Sequence, residues 1–481
     1  MNNKIINKYN KLPVEVKASF WFLLCSFFQR GIAVISTPIF TRMMTTAEYG
    51  EFSVFYSWYG IITILVTFNL FFGVYVRGLV TYDEKKESFT SAMEGLMLVL
   101  IIAWFGIYLV FQNKVNRLLG LTTFQIVLMF IIIWTNGVFN FWAAYQRVVL
   151  RYKKLVILSM TTSILMPILQ IIFMQFVDNK VNARIIGMLT VSIIFYPVLF
   201  ISHMKKGKVF FNKQIWRYAL SFNIPLLPHY FSQTILNSAD RIMIKDMIGA
   251  DQAGIYSLAY SISQIMTVFN SALMQTIEPW LYKKIKNDET ENIKSVAYPA
   301  FIIVALANIV LIALAPEAVS IFAPGEYKEA IWIIPPVAMS VFFTFTYTFF
   351  AVFEFYYKKT QYITAATLVG AVINIILNYI FIDIFGYFAA GYTTLICYIL
   401  YSLFHYLFMK KLIKENLEDR EIYDSKVLFT IIGIFVIIGF LLMLTYKHVY
   451  IRYGIIGCIC IYILVNYKKI IVLAEKMMKE R

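Results

Sequence analysis

The sequence has few charged residues, and this shortage excludes a water-soluble protein. Only 15% of the 481 residues are charged, whereas 60% are hydrophobic, and the mean hydropathy is +0.71. A soluble chain cannot bury that much apolar surface. The sequence therefore predicts an all-α polytopic membrane protein, because helices satisfy their own backbone hydrogen bonds in lipid.

Cysteine, histidine and catalytic motifs are also scarce. The four cysteines fall in apolar runs, which excludes a disulfide framework, and the four histidines lack the spacing of a metal site. The chain has no phosphate-binding GxxxxGK[ST] loop, no GxSxG and no HExxH motif. We therefore expect no metal, no cofactor, no ATP-driven step and no enzymatic activity.

Apolar runs of membrane-spanning length predict about 14 transmembrane helices. They lie near 18–40, 52–76, 89–111, 122–146, 155–177, 184–203, 218–239, 253–280, 296–315, 330–355, 361–382, 386–409, 427–446 and 452–467. The loops between them are short, and the longest, near 410–426, is too small to form a domain.

The net charge of +16 is a signal of topology rather than of nucleic-acid binding. Loops on the side of the N-terminus hold 32 of the Lys and Arg residues, whereas the opposite loops hold 10. Basic residues concentrate on the cytoplasmic side of membrane proteins. Both termini are therefore predicted to be cytoplasmic, and the basic loops can also attract anionic lipids on that side.

An internal repeat divides the chain. Residues 50–57 align with 254–261 at an offset of 204, and 152–154 align with 357–359 at an offset of 205. The offset spans six predicted helices, so the two halves share one orientation. We expect six-helix bundles over 1–213 and 214–425, two additional helices over 426–481, and a substrate site between the bundles.

The stretch 221–264 is predicted to form two spans joined by a short charged turn that carries Asp240 and Arg241. Pro225 and Pro228 lie inside the first of these spans, where proline removes a backbone donor and kinks or breaks a helix. Together with Pro38 in the first span, they are predicted hinges.

Arg30 lies about midway along the first span, where an arginine costs roughly 2.5–3.5 kcal/mol. Such a residue faces a water-filled cavity or a structural ion pair. Gln29 precedes it, and Pro38 is expected to break or bend the same helix near its outer end, where Arg42 follows. These residues predict a cationic, substrate-binding cavity.

Asp240 and Arg241 are placed at the outer end of the seventh span, the repeat counterpart of the first. Arg241 could add to a ring of cations that attracts a pyrophosphate or an acidic glycan, because arginine forks match phosphate oxygens. Asp240 could act in coupling or gating, or could form a salt bridge at the membrane edge.

Four further polar residues lie within or beside predicted spans. Glu278 and Glu354 lie near the cytoplasmic ends of the eighth and tenth spans, where each is a possible coupling carboxylate or an ordinary interfacial glutamate. Asn374 and Asn378 share one helical face, where they could line a sugar site or hold helices together.

Several short motifs occur together in order. They are Pro38 to Met44 with Glu48-Tyr49-Gly50, Ser238 to Ile244 with Ala253 to Ser257, Ala315-Pro316-Glu317 with Gly325-Glu326-Tyr327 and Ala330, and Asn374 to Asn378 with Gly386 and Ala389-Ala390-Gly391. Over essentially its whole length the chain thus resembles Wzx-type polysaccharide-repeat flippases of the multidrug/oligosaccharidyl-lipid/polysaccharide exporter superfamily. The order Ala-Ala-Gly departs from that family's usual Gly-Ala-Ala.

The resemblance implies a V-shaped helical carrier that flips undecaprenyl-pyrophosphate-linked oligosaccharide, for capsule or O-antigen, to the outer leaflet. It also implies a location in a bacterial cell membrane and a cationic central cavity, which fits Arg30. Other polysaccharide-assembly membrane proteins are possible partners. One alternative is a cation-coupled drug exporter of the same superfamily, although no acidic residue is expected near the middle of the first or seventh helix. The other is an oligosaccharide polymerase, which usually carries a large external loop.

Overall fold

The computed structural model describes the backbone of residues 13–417 and 420–479, and the side chains of these ranges except for 360 and 467–479. Within them the chain consists of α-helices, short 3-10 segments and loops, without a β-strand. The all-α fold class is therefore confirmed.

The chain forms two compact units, here called unit 1 and unit 2. Unit 1 comprises the described residues up to Met44 together with Glu51–Thr234, and unit 2 comprises Thr45–Gly50 and the described residues from Ile235 onward. The sequence-based domain bounds stay a prediction.

Unit 1 is built from the first nine helices and the start of the tenth. They are α1 (Val14–Met43), α2 (Thr46–Thr67, whose first turn belongs to unit 2), α3 (Gly73–Thr81), α4 (Lys86–Val110), α5 (Gln112–Leu119), α6 (Thr123–Val148), α7 (Tyr152–Phe176), α8 (Lys180–Gly207), α9 (Lys213–Asn223) and α10 (Leu227–Met247, which continues into unit 2).

Unit 2 contains the rest of α10 and the helices that follow it. They are α11 (Ala250–Ser263), α12 (Ile265–Lys286), α13 (Lys294–Ala313), α14 (Ala315–Phe322), α15 (Ile334–Tyr356), α16 (Thr360–Phe385), α17 (Ala389–Asn416), α18 (Ser425–Leu444) and α19 (Val449–Lys479).

Eleven helices in the described part of the chain are long and apolar enough to cross a membrane. The predicted number of fourteen is not confirmed, because the runs 52–76, 218–239 and 253–280 each form two helices instead of one. The multi-pass architecture itself agrees with the sequence.

The break between α9 and α10 lies where the prolines predict it. Residues Ile224–Leu226 form a 3-10 segment that contains Pro225, and α10 starts one residue before Pro228. Proline cannot donate the backbone hydrogen bond that would continue α9.

By contrast, α1 continues through Pro38 to Met43, so the break considered at Pro38 is absent. Side chains supply hydrogen bonds around it: Thr37 donates to the Ala33 carbonyl at 2.9 Å, and Arg42 donates to the Pro38 carbonyl at 2.9 Å.

The structure corrects the position of Asp240 and Arg241. The helix α10 runs to Met247, so both residues lie inside it rather than in a turn. After Pro228 in its first turn, its sequence contains no helix breaker until Gly249, whose φ of +154° suits glycine. Asp240 is therefore about two helical turns from the end of α10.

Two glycines at matched repeat positions allow a close helix crossing in unit 2. A Cβ atom at Gly50 would lie 2.0 Å from the Ala250 carbonyl oxygen, and one at Gly254 would lie 2.0 Å from the Thr46 carbonyl oxygen. Only glycine permits this approach, which explains why Thr45–Gly50 belongs to unit 2.

The last two helices are attached to α13 by Arg452, which is 2% exposed. Its Nη1 donates to the Ala313 carbonyl at 2.7 Å, at the end of α13, and to Glu317 Oε2 at 2.5 Å. The hydrogen bond from Arg452 lowers the pKa of the Glu317 carboxyl. A cation at a helix C-terminus is also favoured by the helix dipole.

Arg452→Ala is expected to destabilise unit 2 by about 2 kcal/mol, because a buried carbonyl and a carboxylate lose their donor. Thermal unfolding in detergent at neutral pH measures the loss. Since the pKa of Glu317 is lowered, its share of the stability is present above the unfolded-state pKa of about 4.3 and disappears as the pH falls through the folded-state pKa.

Arg420→Ala, which removes an exposed pair with Asp288, is the matched control and should cost under about 1 kcal/mol. Equal losses in the two variants would contradict the role of Arg452.

Candidate functional site

Unit 1 contains a cavity of about 490 Å³ that is lined by α1, α2, α6, α7 and α8. This volume falls in the range of small-molecule sites. Its polar and aromatic lining residues include Gln29, Tyr56, Tyr59, Asn136, Asn140, Ser163, Gln170, Arg184 and Tyr196. Arg184 is the only charged side chain among the described lining residues, so the cavity is cationic.

Arg184 is held between two aromatic rings. Its guanidinium carbon lies 3.6 Å from the ring centroid of Phe52 and 3.9 Å from that of Phe40. Its Nε donates to Gln170 Oε1 at 3.4 Å. The side chain is 8% exposed. Its Nη1 donates to Met44 Sδ at 3.7 Å. These contacts fix the orientation of the guanidinium in the wall of the cavity.

The opposite parts of the cavity carry neutral polar groups. Gln29 Nε2 donates to Ser163 Oγ at 3.0 Å, which joins α1 to α7, and Asn136 Nδ2 donates to Tyr59 Oη at 3.1 Å, which joins α6 to α2. Amides and hydroxyls can exchange these bonds for bonds to sugar hydroxyls. The cavity therefore combines an anion-binding group with groups suited to a glycan.

The structure separates the residues predicted in the first span. Gln29 lines the cavity, whereas Arg30 is exposed and is not among its lining residues. Arg42 is exposed near the end of α1. The substrate-binding role predicted for these three residues stays a prediction.

Arg184 was missed because the sequence-based span begins at 184, which puts this arginine at a loop boundary. The helix α8 instead begins at Lys180, with the Asn179 side chain accepting from the Asn182 backbone N–H at 2.9 Å. Asparagine is a favoured N-cap residue. That signal would have placed Arg184 inside the helix.

Unit 2 contains a buried polar cluster around Asp240, which is 1% exposed. Tyr256 and Thr394 donate to its Oδ2 at 2.6 Å and 2.9 Å, and Asn378 Nδ2 donates to its Oδ1 at 2.6 Å. No ion pair joins Asp240 to Arg241 in the described part of the chain. The cluster therefore satisfies a carboxylate with neutral donors, and the alternative of a salt bridge at the membrane edge is wrong.

Arg241 has other contacts. Its Nη1 donates to the Asn237 carbonyl at 2.7 Å, and its guanidinium lies 4.1 Å from the ring centroid of Tyr260. Asn237 Oδ1 also accepts from Tyr260 and Tyr398, at 3.2 Å and 3.1 Å. These contacts extend the polar cluster along α10, α11 and α17.

Asn374 and Asn378 lie on one face of α16, as the sequence predicts, and are joined by a hydrogen bond of 3.2 Å. Thr393 also donates to Asn378 Oδ1. Carboxylate, amide and hydroxyl oxygens can share one positive charge, either as a proton on Asp240 or as a small cation. Among the side chains described, no three His, Cys, Asp or Glu residues are grouped for a metal ion.

The two predicted glutamates lie in different environments. Glu278 is half-buried on α12, and Glu354 is fully buried near the end of α15, where Oε1 lies 2.7 Å from His405 Nδ1. Coupling through either residue remains a prediction.

Solved structures with the same fold are membrane transporters. The chain is similar to the structure titled lipid II flippase MurJ, inward closed conformation, with a TM-score of 0.59 and 18% identity over 90% of this chain and 99% of that one. It is also similar to an inward-facing multidrug resistance MATE family transporter of the MOP superfamily, with a TM-score of 0.59 and 14% identity over 81% of this chain and 96% of that one. The chain therefore shares the fold of these two membrane proteins.

Residues 16–285 match the family described as polysaccharide biosynthesis protein. The chain belongs to this family. It is also 22% identical over 369 residues to an uncharacterised membrane protein of Haemophilus influenzae, which covers 74% of this chain and 88% of that protein. The family resemblance found in the sequence is thus confirmed.

Proposed function

We propose that this protein is a flippase that moves undecaprenyl-pyrophosphate-linked oligosaccharide repeat units, the precursors of capsule or O-antigen, across the bacterial cytoplasmic membrane. The family supports a role in polysaccharide biosynthesis, and the fold supports a transporter. The single observation that carries the proposal is the cavity of unit 1, where Arg184 is the sole charge among amides, hydroxyls and aromatic rings.

Each part of this cavity suits one part of such a cargo. The oriented guanidinium of Arg184 can form paired hydrogen bonds to phosphate or to the carboxylate of an acidic sugar. Gln29, Asn136 and Asn140 can bond to sugar hydroxyls, and tyrosine rings can pack on sugar faces. The polyprenyl tail is apolar and stays in lipid.

The remaining predicted residues have proposed roles in the transport cycle. Arg30, Arg42 and Arg241 would guide the anionic headgroup toward the cavity. The helix break at Pro225 and Pro228 would act as a hinge during alternating access. Asp240, and less directly Glu278 and Glu354, would bind the coupling ion. Both termini would lie in the cytoplasm.

The test is the leaflet orientation of lipid-linked oligosaccharide in cells depleted of this protein. Accumulation in the cytoplasmic leaflet, with loss of surface polysaccharide and recovery by the intact gene, is the expected result. Accumulation of single unpolymerised units in the outer leaflet would contradict the flippase and indicate a polymerase.

A second candidate, a cation-coupled drug exporter, is favoured by one observation. The sequence places no acidic residue near the middle of the seventh helix, but Asp240 is buried within α10. A buried carboxylate can bind a coupling cation for either kind of cargo. Normal surface polysaccharide together with raised sensitivity to cationic dyes in depleted cells would establish this exporter instead.

A further inference from the structure

A buried carboxylate near the end of α15 forms a pair with an imidazole in the middle of α17. Glu354 and His405 are both 0% exposed, and Glu354 Oε1 lies 2.7 Å from His405 Nδ1. Glu354 Oε2 and His405 Nε2 have no hydrogen-bond partner. A carboxyl oxygen and an imidazole nitrogen at hydrogen-bond distance can share one proton. The pair can therefore gain or lose a proton inside the protein.

The groups that face this pair are tyrosines. Tyr347 of α15 stacks on the His405 ring with centroids 5.3 Å apart, and Tyr401 of α17 meets its edge at 4.5 Å. From α16, Thr367 bonds to the Tyr401 hydroxyl. No lysine, arginine or second carboxylate contacts the pair among the described side chains. A charge that appears here is consequently not balanced by a fixed charge nearby.

One face of α17 connects this pair to Asp240. The face consists of Thr394, Tyr398, Tyr401 and His405, spaced by four, three and four residues, so their side chains lie above one another. Thr394 donates to Asp240 Oδ2 at 2.9 Å, and the rings of Tyr398 and Tyr401 have centroids 6.3 Å apart. Eleven residues of helix rise about 16 Å, roughly half the hydrocarbon thickness of a bilayer.

Titratable and charged groups also surround Asp240. They are Tyr256 and Tyr260 of α11, Cys397 and Tyr398 of α17, and Arg241 of α10. Tyrosine and threonine hydroxyls can accept one proton while they donate another. The face of α17 is therefore built from groups that can pass a proton along.

We propose that Glu354 and His405 form a proton-binding site, and that the α17 face from Thr394 to His405 carries this proton between the pair and Asp240. Bulk water supplies the proton to the pair. In the transfer, an N–H or O–H bond of the pair breaks and an O–H bond forms on Asp240, and nothing is oxidised or reduced. The inference rests on the proposed flippase, since transport gives the proton movement its purpose.

Unit 1 provides a matched control pair. Glu94 Oε1 lies 2.7 Å from His203 Nδ1, with Glu94 0% and His203 9% exposed, and His203 precedes His405 by 202 residues. This pair adjoins a polar cavity of about 60 Å³ whose lining includes Glu87, Arg151 and Lys206. It has the same chemistry as Glu354 and His405, but its surroundings contain fixed charges.

The experiment uses the full chain in proteoliposomes with the lipid-linked oligosaccharide of its host and an imposed pH gradient. The gradient should accelerate flipping by the wild type about tenfold or more. Glu354→Gln and Tyr401→Phe should lose this acceleration, whereas Glu94→Gln should accelerate as the wild type does. Acceleration equal to wild type in Glu354→Gln, or the same loss in Glu94→Gln, would overturn the proposal.

A second measurement does not depend on transport. Infrared difference spectra of the purified protein between acidic and neutral pH should show a carboxyl change that Glu354→Gln removes. If this signal is present but the wild type moves no precursor, the proton site stands and the flippase fails. If precursor moves but the signal is unchanged in Glu354→Gln, the flippase stands and the proton site fails. Glutamine is close to isosteric with glutamate, and thermal unfolding in detergent verifies that the variant is folded.

Discussion

Arg184→Ala is expected to lower the rate of precursor flipping by about tenfold to a hundredfold. A charge-assisted hydrogen bond to a phosphate or carboxylate contributes about 1.5–3 kcal/mol, and each 1.4 kcal/mol is a factor of ten. Arg184 is the only charged group among the described residues that line the cavity of unit 1. The measurement is the rate at which labelled precursor becomes accessible on the far side of proteoliposomes.

The packing of Arg184 requires a variant that separates charge from structure. Because the guanidinium lies between the rings of Phe40 and Phe52, alanine leaves a gap that could lower stability. Arg184→Met fills most of this space without a charge, so it should unfold near the wild-type temperature and still flip slowly. Arg184→Lys keeps the charge but lacks the planar fork, and an intermediate rate is expected.

Variants of two other arginines serve as a control and as a test of another binding site. Arg117→Ala removes an exposed arginine on α5 and should leave the rate unchanged. Arg30→Ala tests the cation that the sequence favours. A wild-type rate in Arg184→Ala, combined with a loss in Arg30→Ala, would show that the headgroup binds near Arg30 and not in the cavity of unit 1.

The sequence predicts the architecture well because hydropathy and charge bias are properties of long segments. It predicts helix interruptions only where the residue itself prevents a helix, as Pro225 does. The break between α2 and α3 depends instead on Phe68 and Asn69, which have φ values of 50° and 53°. A phenylalanine carries no local signal for that conformation, so tertiary packing determines this turn.

The candidate sites were predicted less completely because hydropathy assigns a charged residue to the nearest loop. Asp240 was assigned to a turn, yet neutral donors from α11, α16 and α17 surround it in the interior of unit 2. Those partners lie 16 to 154 residues away in sequence. Only the fold brings these residues together, so no local sequence pattern predicts the cluster around Asp240.

Two buried carboxylates of unit 2 lie beside the same helix, α17. Asp240 and Glu354 are both buried, and residues of one face of α17 contact each of them. Burial of a carboxylate is unfavourable unless its hydrogen bonds are satisfied, so such groups are rarely retained for packing alone. The coupling role proposed for them accounts for two buried carboxylates beside one helix.

Asp240→Asn is expected to lower the rate of gradient-driven flipping by at least about tenfold and to leave the fold intact. The hydroxyls of Tyr256 and Thr394 can rotate and accept from the new amide, so the structural cost should stay at about 1 kcal/mol. Asp240→Ala instead leaves three buried donors without an acceptor and should destabilise the protein by about 3 kcal/mol or more. Transport in proteoliposomes and thermal unfolding separate the two effects.

The matched control is Asp246→Asn, which removes an exposed carboxylate from the same helix and should change neither readout. If Asp240→Asn flips precursor at the wild-type rate and responds to the gradient, then Asp240 serves only to hold α10, α11, α16 and α17 together. If it loses both transport and stability to the extent of Asp240→Ala, the negative charge is a structural requirement. If Asp240→Asn loses transport and stays stable, the coupling charge is assigned to Asp240. The asparagine side chain keeps the shape of aspartate but lacks the negative charge that binds a cation.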